Sequence, residues 1–113
     1  MIGVTDLKWK LDSKKLEELS KLMSLVLKEI SKLRETIHTL LFDPDKAMET
    51  AKSVEELERQ VDVESRRLDL ELLGSKLPLP TMLFLRDVVD RAERIADIGI
   101  DVVDHIRVLA LTA

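Results

Sequence analysis

Two segments of this chain place apolar residues at alternating steps of three and four without a miss, and nothing else in the sequence constrains the fold so tightly. The first runs Leu16, Leu19, Met23, Val26, Ile30, Leu33, Ile37, Leu40; the last runs Leu85, Val88, Ala92, Ile95, Gly99, Val102, Ile106, Leu109. A mean period of 3.5 residues keeps an apolar seam on one side of a helix over many turns, which suits packing at a shallow angle along long neighbours. Leu22, Leu27 and Leu41 widen the first stripe to the breadth of a bundle helix. Gly99 costs about 1 kcal/mol of helix propensity relative to Ala. On the seam it is expected to let a neighbouring backbone approach closely.

A third helical segment lies between these two. In "FDPDK", Asp43 is placed to cap a helix and Pro44 to occupy its first position. A second start signal follows at "SVEE", where Ser53 and Glu56 have capping-box spacing. Residues 44–52 therefore read equally well as a short helix or as a continuous lead-in. The inward positions are Val54, Leu57, Val61, Leu68 and Leu72, with Ser65 filling one seam place. Gly74 is placed as a C-cap, and Pro78 and Pro80 forbid continuation. Helices over about 13–42, 44–73 and 80–110, preceded by an N-terminal segment 1–12, predict an all-α, up-down three-helix bundle with spectrin-like packing.

Composition narrows the function classes. Aromatics are only 3% of a chain that is 45% hydrophobic, so the core is built from Leu, Ile, Val and Met, with Trp9 expected over the end of the bundle. A net charge of −4 gives no general attraction to nucleic acid or to an anionic membrane. The absence of cysteine excludes disulfides, thiolate metal sites and Cys nucleophiles. Nothing resembles a signal peptide or a membrane-inserted span, so a cytoplasmic location is the expectation.

The acids carry the functional question. Asp87, Asp90, Glu93, Asp97, Asp101 and Asp104 recur at helical steps along the last segment, in a sector of roughly 120° expected nearly opposite the seam. Glu55, Glu58, Asp62 and Asp69 line one flank of the middle segment's apolar stripe. Both stripes read as solvated faces, or as seats for a multivalent cation. Solvated faces usually interleave Lys or Arg at i+4, where each opposite pair gains about 0.2–0.5 kcal/mol. Here Arg91 and Arg94 fall off the acidic stripe. Contiguous carboxylates suit hard metals.

One spacing occurs twice: "ERQVD", Glu58 to Asp62, and "ERIAD", Glu93 to Asp97. These paired motifs on successive helices, with a Gly/Pro-rich turn between and an Arg inside "DRAERIAD", resemble the PhoU family of phosphate-uptake regulators. The resemblance covers about Ser53 to Leu109. It implies a metal cluster of iron, zinc or magnesium held by Glu58, Asp62, Glu93 and Asp97, with Asp90 and Asp101 as extra ligands by geometry. It also implies a role in regulating the transport of phosphate or another ion, with a phosphate transporter or a sensor kinase as partner. The pattern departs from the family at Ala96 and Ile98, where a Gly and a His are usual. Family members usually hold two three-helix repeats, so this chain reads as a single-repeat member that pairs with itself or as a piece of a longer protein. The alternative reading is a helical oligomerisation or adaptor module with no metal, part of a larger ion-transport regulator.

His105, four residues after Asp101, reads as a further ligand or as a solvent-exposed residue near a helix C-terminus; His38 reads as structural. No Gly-rich phosphate loop, nucleophile setting or Glu-x-x-His pair points to an enzyme. A homodimer or higher even oligomer is expected through an apolar surface drawn from Leu22, Leu27, Leu41, Val63 and Leu70.

Overall fold

The computed structural model describes residues 13–112; Trp9 lies outside them. Three helices, α1 (Ser13–Leu40), α2 (Pro44–Leu73) and α3 (Leu79–Thr112), pack against one another as an up-down bundle 56 × 22 × 22 Å in extent. Its length is that of its longest helix, since 34 residues at 1.5 Å each span about 51 Å. None of these helices is long and apolar enough to cross a membrane.

The punctuation behaves as its chemistry requires. The Asp43 carboxylate accepts from the Lys46 backbone N–H at 3.1 Å, with Pro44 directly after it. α2 then runs unbroken to Leu73, so residues 44–52 are a continuous part of it and Ser53 caps nothing. Gly74 closes the helix, its N–H donating to the Leu70 carbonyl at 3.1 Å. α3 begins at Leu79, with Pro80 in its first turn. Near one end, Lys15 pairs with Glu71 at 2.5 Å, and Arg67 bridges Glu64 and Glu71 at 2.7 and 2.8 Å. This network ties the start of α1 to the end of α2.

The apolar periods are as expected, but two of the three seams have a different phase. α2 buries Val54, Val61, Ser65, Leu68 and Leu72 as its stripe predicts, with Ala47 and Ala51 in addition, while the expected Leu57 is only half-buried. α3 buries Leu85, Val89, Ala92, Ala96, Gly99, Val103 and Ile106. The expected Val88, Ile95, Val102 and Leu109 are displaced to a flank by Val89, Ala96 and Val103. In α1, Leu22, Glu29 and Thr36 are buried in place of Met23, Ile30 and Ile37. Each helix offers two stripes one residue apart that share every second member. Periodicity alone cannot choose between them, and packing against two neighbours does. In α3 the chosen stripe puts Ala96 inward in place of Ile95, beside Ala92 and Gly99, which both stripes share. Leu22, expected on an exposed apolar surface, is therefore fully buried, whereas Leu27, Leu41, Val63 and Leu70 are exposed.

The core is divided in two. A larger cluster holds Leu22, Val26, Val61, Leu68, Leu72, Leu85, Val89, Ala92 and Ala96; a smaller one holds Ala51, Val54 and Val103 with Leu33 and Ile100 beside it. The layer between them contains Glu29 and Gly99.

The phase of α1 has a direct test. Leu22→Ala should cost about 2–5 kcal/mol, as a buried leucine does, while Leu27→Ala should change stability by less than about 0.5 kcal/mol, as exposed sites do. Urea unfolding of both variants distinguishes the observed seam from the one that periodicity suggests, and similar costs would contradict it.

Candidate functional site

Successive members of an E-x-x-x-D motif sit one helical turn apart on the same face. Since α2 and α3 run antiparallel, the two motifs meet in opposite order, forming the rungs of a ladder. Four rungs involve charged groups from both helices. At one outer rung Arg86 is bidentate to Asp69, at 2.7 and 3.2 Å. At the other, Arg107 pairs with Glu55. The two inner rungs set acid against acid: Glu58 faces Asp97, and Asp62 faces Glu93.

Of the six acids of α3, Asp87, Asp90, Asp97, Asp101 and Asp104 are exposed as expected, and only Glu93 is drawn toward the core. The shift in seam from Ile95 to Ala96 rotates the stripe so that Glu93 lies half-buried against α2, with Asp97 at the outer edge. Burial first, then the Asp97 and Asp62 carboxylates, holds Glu58 above the usual carboxylate range. Burial and the Asp62 carboxyl do the same for Glu93. Asp62 has some relief from Arg66, 2.9 Å away on its own helix.

Other acids of the stripe fall outside this cluster. Asp87 pairs with Arg91 at 2.9 Å and Asp90 with Arg94 at 3.0 Å, so these arginines serve the stripe after all, each through an i+4 contact. Asp101 is exposed and faces no rung. The His105 ring nitrogen Nδ1 lies 2.7 Å from the Asp101 carbonyl, which binds the ring to its own helix backbone rather than to the acids. His38 packs edge-on against Phe42, with ring centroids 5.3 Å apart.

One member of the site was not foreseen. Glu29 of α1 is fully buried, and neither carboxyl oxygen has a hydrogen-bond partner among the described residues. Burial, then the nearby charges of Glu58 and Asp97, push its pKa up to about 8. Its Oε2 rests against Gly99, where an added Cβ would collide with it. Gly99 thus makes room for a side-chain carboxyl rather than for a neighbouring backbone. The sequence did contain a signal for this: Leu22, Val26, Glu29, Leu33 and Thr36 also follow steps of four and three. A charged residue on that stripe made it the less attractive choice.

The donor set is all oxygen, the chemistry that hard cations take. As the side chains stand they form pairs, and among the described residues no group of three or more His, Cys, Asp or Glu is gathered so that it could hold a metal ion. The backbone register already brings Glu58, Asp62, Glu93 and Asp97 together. At their level lie the unpartnered Glu29 oxygens, which occupy the space left at Gly99. No protein-family model matches the chain, and no curated protein or solved structure matches it either.

The Glu29 shift fixes a pH dependence. Its carboxyl ionises near 4.5 in an unfolded chain and near 8 in the fold, so the folded state holds the extra proton between these values. The associated stability is complete below about pH 4.5 and is lost as pH rises through 8, by on the order of a few kcal/mol; Glu58 and Glu93 act in the same direction. In chelator, the melting temperature should fall by several degrees between pH 5 and 8.5. Glu29→Gln should flatten that fall, opening a gap in its favour at high pH. Calorimetry across that range checks it, and a constant gap between the two proteins would contradict it.

Proposed function

We propose that this chain is a metal-binding regulatory bundle, in which Glu58, Asp62, Glu93 and Asp97 hold one or more hard cations between α2 and α3. The observation that carries this reading is the contrast along the ladder. Both outer rungs end in arginine, while both inner rungs join acid to acid. Like charges at such a separation destabilise the empty bundle, and a bound cation turns the same two rungs into attractive contacts. With no histidine in the cluster, magnesium or ferric iron suits it better than zinc. Asp90 and Asp101 lie outside the inner rungs and would join only by turning toward them, Asp90 giving up Arg94.

The biological role rests on the resemblance to PhoU at "ERQVD" and "ERIAD". By that resemblance, the loaded bundle regulates the transport of phosphate or a related ion, without catalysis of its own, and its target is a transporter or a sensor kinase. An adaptor role is favoured by a separate observation. The α1 flank turned away from α2 exposes Ile30 at 43% and Ile37 at 46%, and the corresponding α3 flank exposes Ile95 at 44% and Leu109 at 57%. Exposed apolar rows of this kind mark contact surfaces, and a second copy of the chain is the partner proposed for them.

Two measurements test these readings. At pH 7, magnesium or iron should raise the melting temperature of the wild type by several degrees at modest excess, and zinc by less. The double variant Glu93→Gln/Asp97→Asn should melt higher than wild type in chelator and gain nothing from metal; equal responses would refute the site. Light scattering at micromolar concentration should give a multiple of the 12.9 kDa chain mass, and Ile30→Lys/Ile95→Lys should reduce it to one. A monodisperse monomer in the wild type would refute self-association.

A further inference from the structure

We infer that Glu29 is a third-helix ligand to the same cation, so that the cation closes α1 onto α2 and α3 instead of bridging α2 and α3 alone. This builds on the cation reading of the ladder.

A buried acid in a helical bundle is ordinarily answered by an arginine, a lysine or a hydrogen-bond donor, because an unanswered one loses its hydration without replacement. The charged groups that bear on Glu29 are instead both acids: Glu58 from α2 and Asp97 from α3. A proton alone is a poor answer, since it would make the carboxyl neutral but leave both oxygens without partners. The neighbouring apolar residue makes the point sharper. Ile30, one position along, is 43% exposed while Glu29 occupies the interior.

Gly99 is the second half of the arrangement. It interrupts a helix that otherwise carries good formers, and the space it leaves is filled by the Glu29 carboxyl and nothing else within contact distance. Glu29 and Gly99 are thus matched across the α1–α3 interface at the level of the Glu58–Asp97 rung. Hard cations take six or more oxygens in the case of calcium and six for magnesium. The inner rungs offer theirs from the α2–α3 side, and Asp97 is open to water, which completes a shell from outside. From α1, Glu29 is the side chain placed to supply an oxygen from the interior, both of its carboxyl oxygens being buried and unpartnered.

Cation binding would then set how firmly α1 docks at the break between the two apolar clusters. The test compares wild type, Glu29→Gln, Glu29→Leu and Gly99→Ala, titrated separately with Mg²⁺, Zn²⁺ and anaerobic Fe²⁺. Affinity is read by calorimetry, and α1 docking by amide exchange over residues 26–33. Wild type should bind and gain protection in that stretch. Glu29→Gln and Glu29→Leu should fold at least as stably in chelator, yet bind at least tenfold more weakly and gain no α1 protection. Gly99→Ala should also bind more weakly although it removes no ligand, because it displaces the carboxyl. Undiminished affinity in both Glu29 variants, alongside a responsive wild type, overturns this inference and leaves the α2–α3 site standing. A wild type that responds to none of the three metals overturns both.

Discussion

A carboxyl group stands where this bundle would otherwise have a continuous apolar core. Glu29 lies between the Val26–Ala96 cluster and the Val54–Val103 cluster, against Gly99 and facing two further acids. Its position depends on the phase of α1, since turning the helix by one residue would exchange it for Ile30. Gly99, which leaves it room, faces inward in either phase of α3, as does Ala92. The observed phase puts Ala96 inward in place of Ile95, and Glu93 then lies half-buried at the edge of α2. Carboxylate ladder and split core are consequences of these rotational choices.

Together they separate the charged contacts of the α2–α3 interface into two kinds. Arg86 with Asp69 and Arg107 with Glu55 clamp the ends of the interface by ordinary ion pairing, partly shielded from water. Pairs of this sort set register more than they add stability. Between them, the acid pairs contribute the opposite sign, and burial together with the facing carboxylates raises the pKa of Glu58 and of Glu93. The interface is thus held by ion pairs at both ends and carries facing acids in the middle.

The same rotations explain the exposed isoleucines. The first and last helices each carry more apolar positions than a three-helix core can take. The surplus, Ile30 and Ile37 on α1 with Ile95 and Leu109 on α3, falls on flanks turned from α2. Leu22, by contrast, reads as part of the broad outer stripe from sequence and sits at the centre of the core. Heptad regularity in α1 and α3 therefore describes two jobs, filling this bundle and presenting a second apolar face.

From the sequence alone come the three helices, their ends at Asp43–Pro44 and Gly74, the buried stripe of α2, and the paired acids at Glu58, Asp62, Glu93 and Asp97. All of these depend on local rules: caps, proline geometry, and a spacing of four that puts two side chains on one face. Tertiary structure decided everything that required knowing which way a helix is turned. Val88 or Val89, Ile95 or Ala96, Ile30 or Glu29 fit their stripes equally well by period, and residue type favoured the wrong member of the last two pairs. The choice between them is made by close packing with two neighbours at once, where Ala96 fits facing inward and Ile95 is left on the flank. Glu29 was hidden for that reason, since an isolated acid beside an isoleucine looks like surface until the partner glycine, seventy positions away, is found against it.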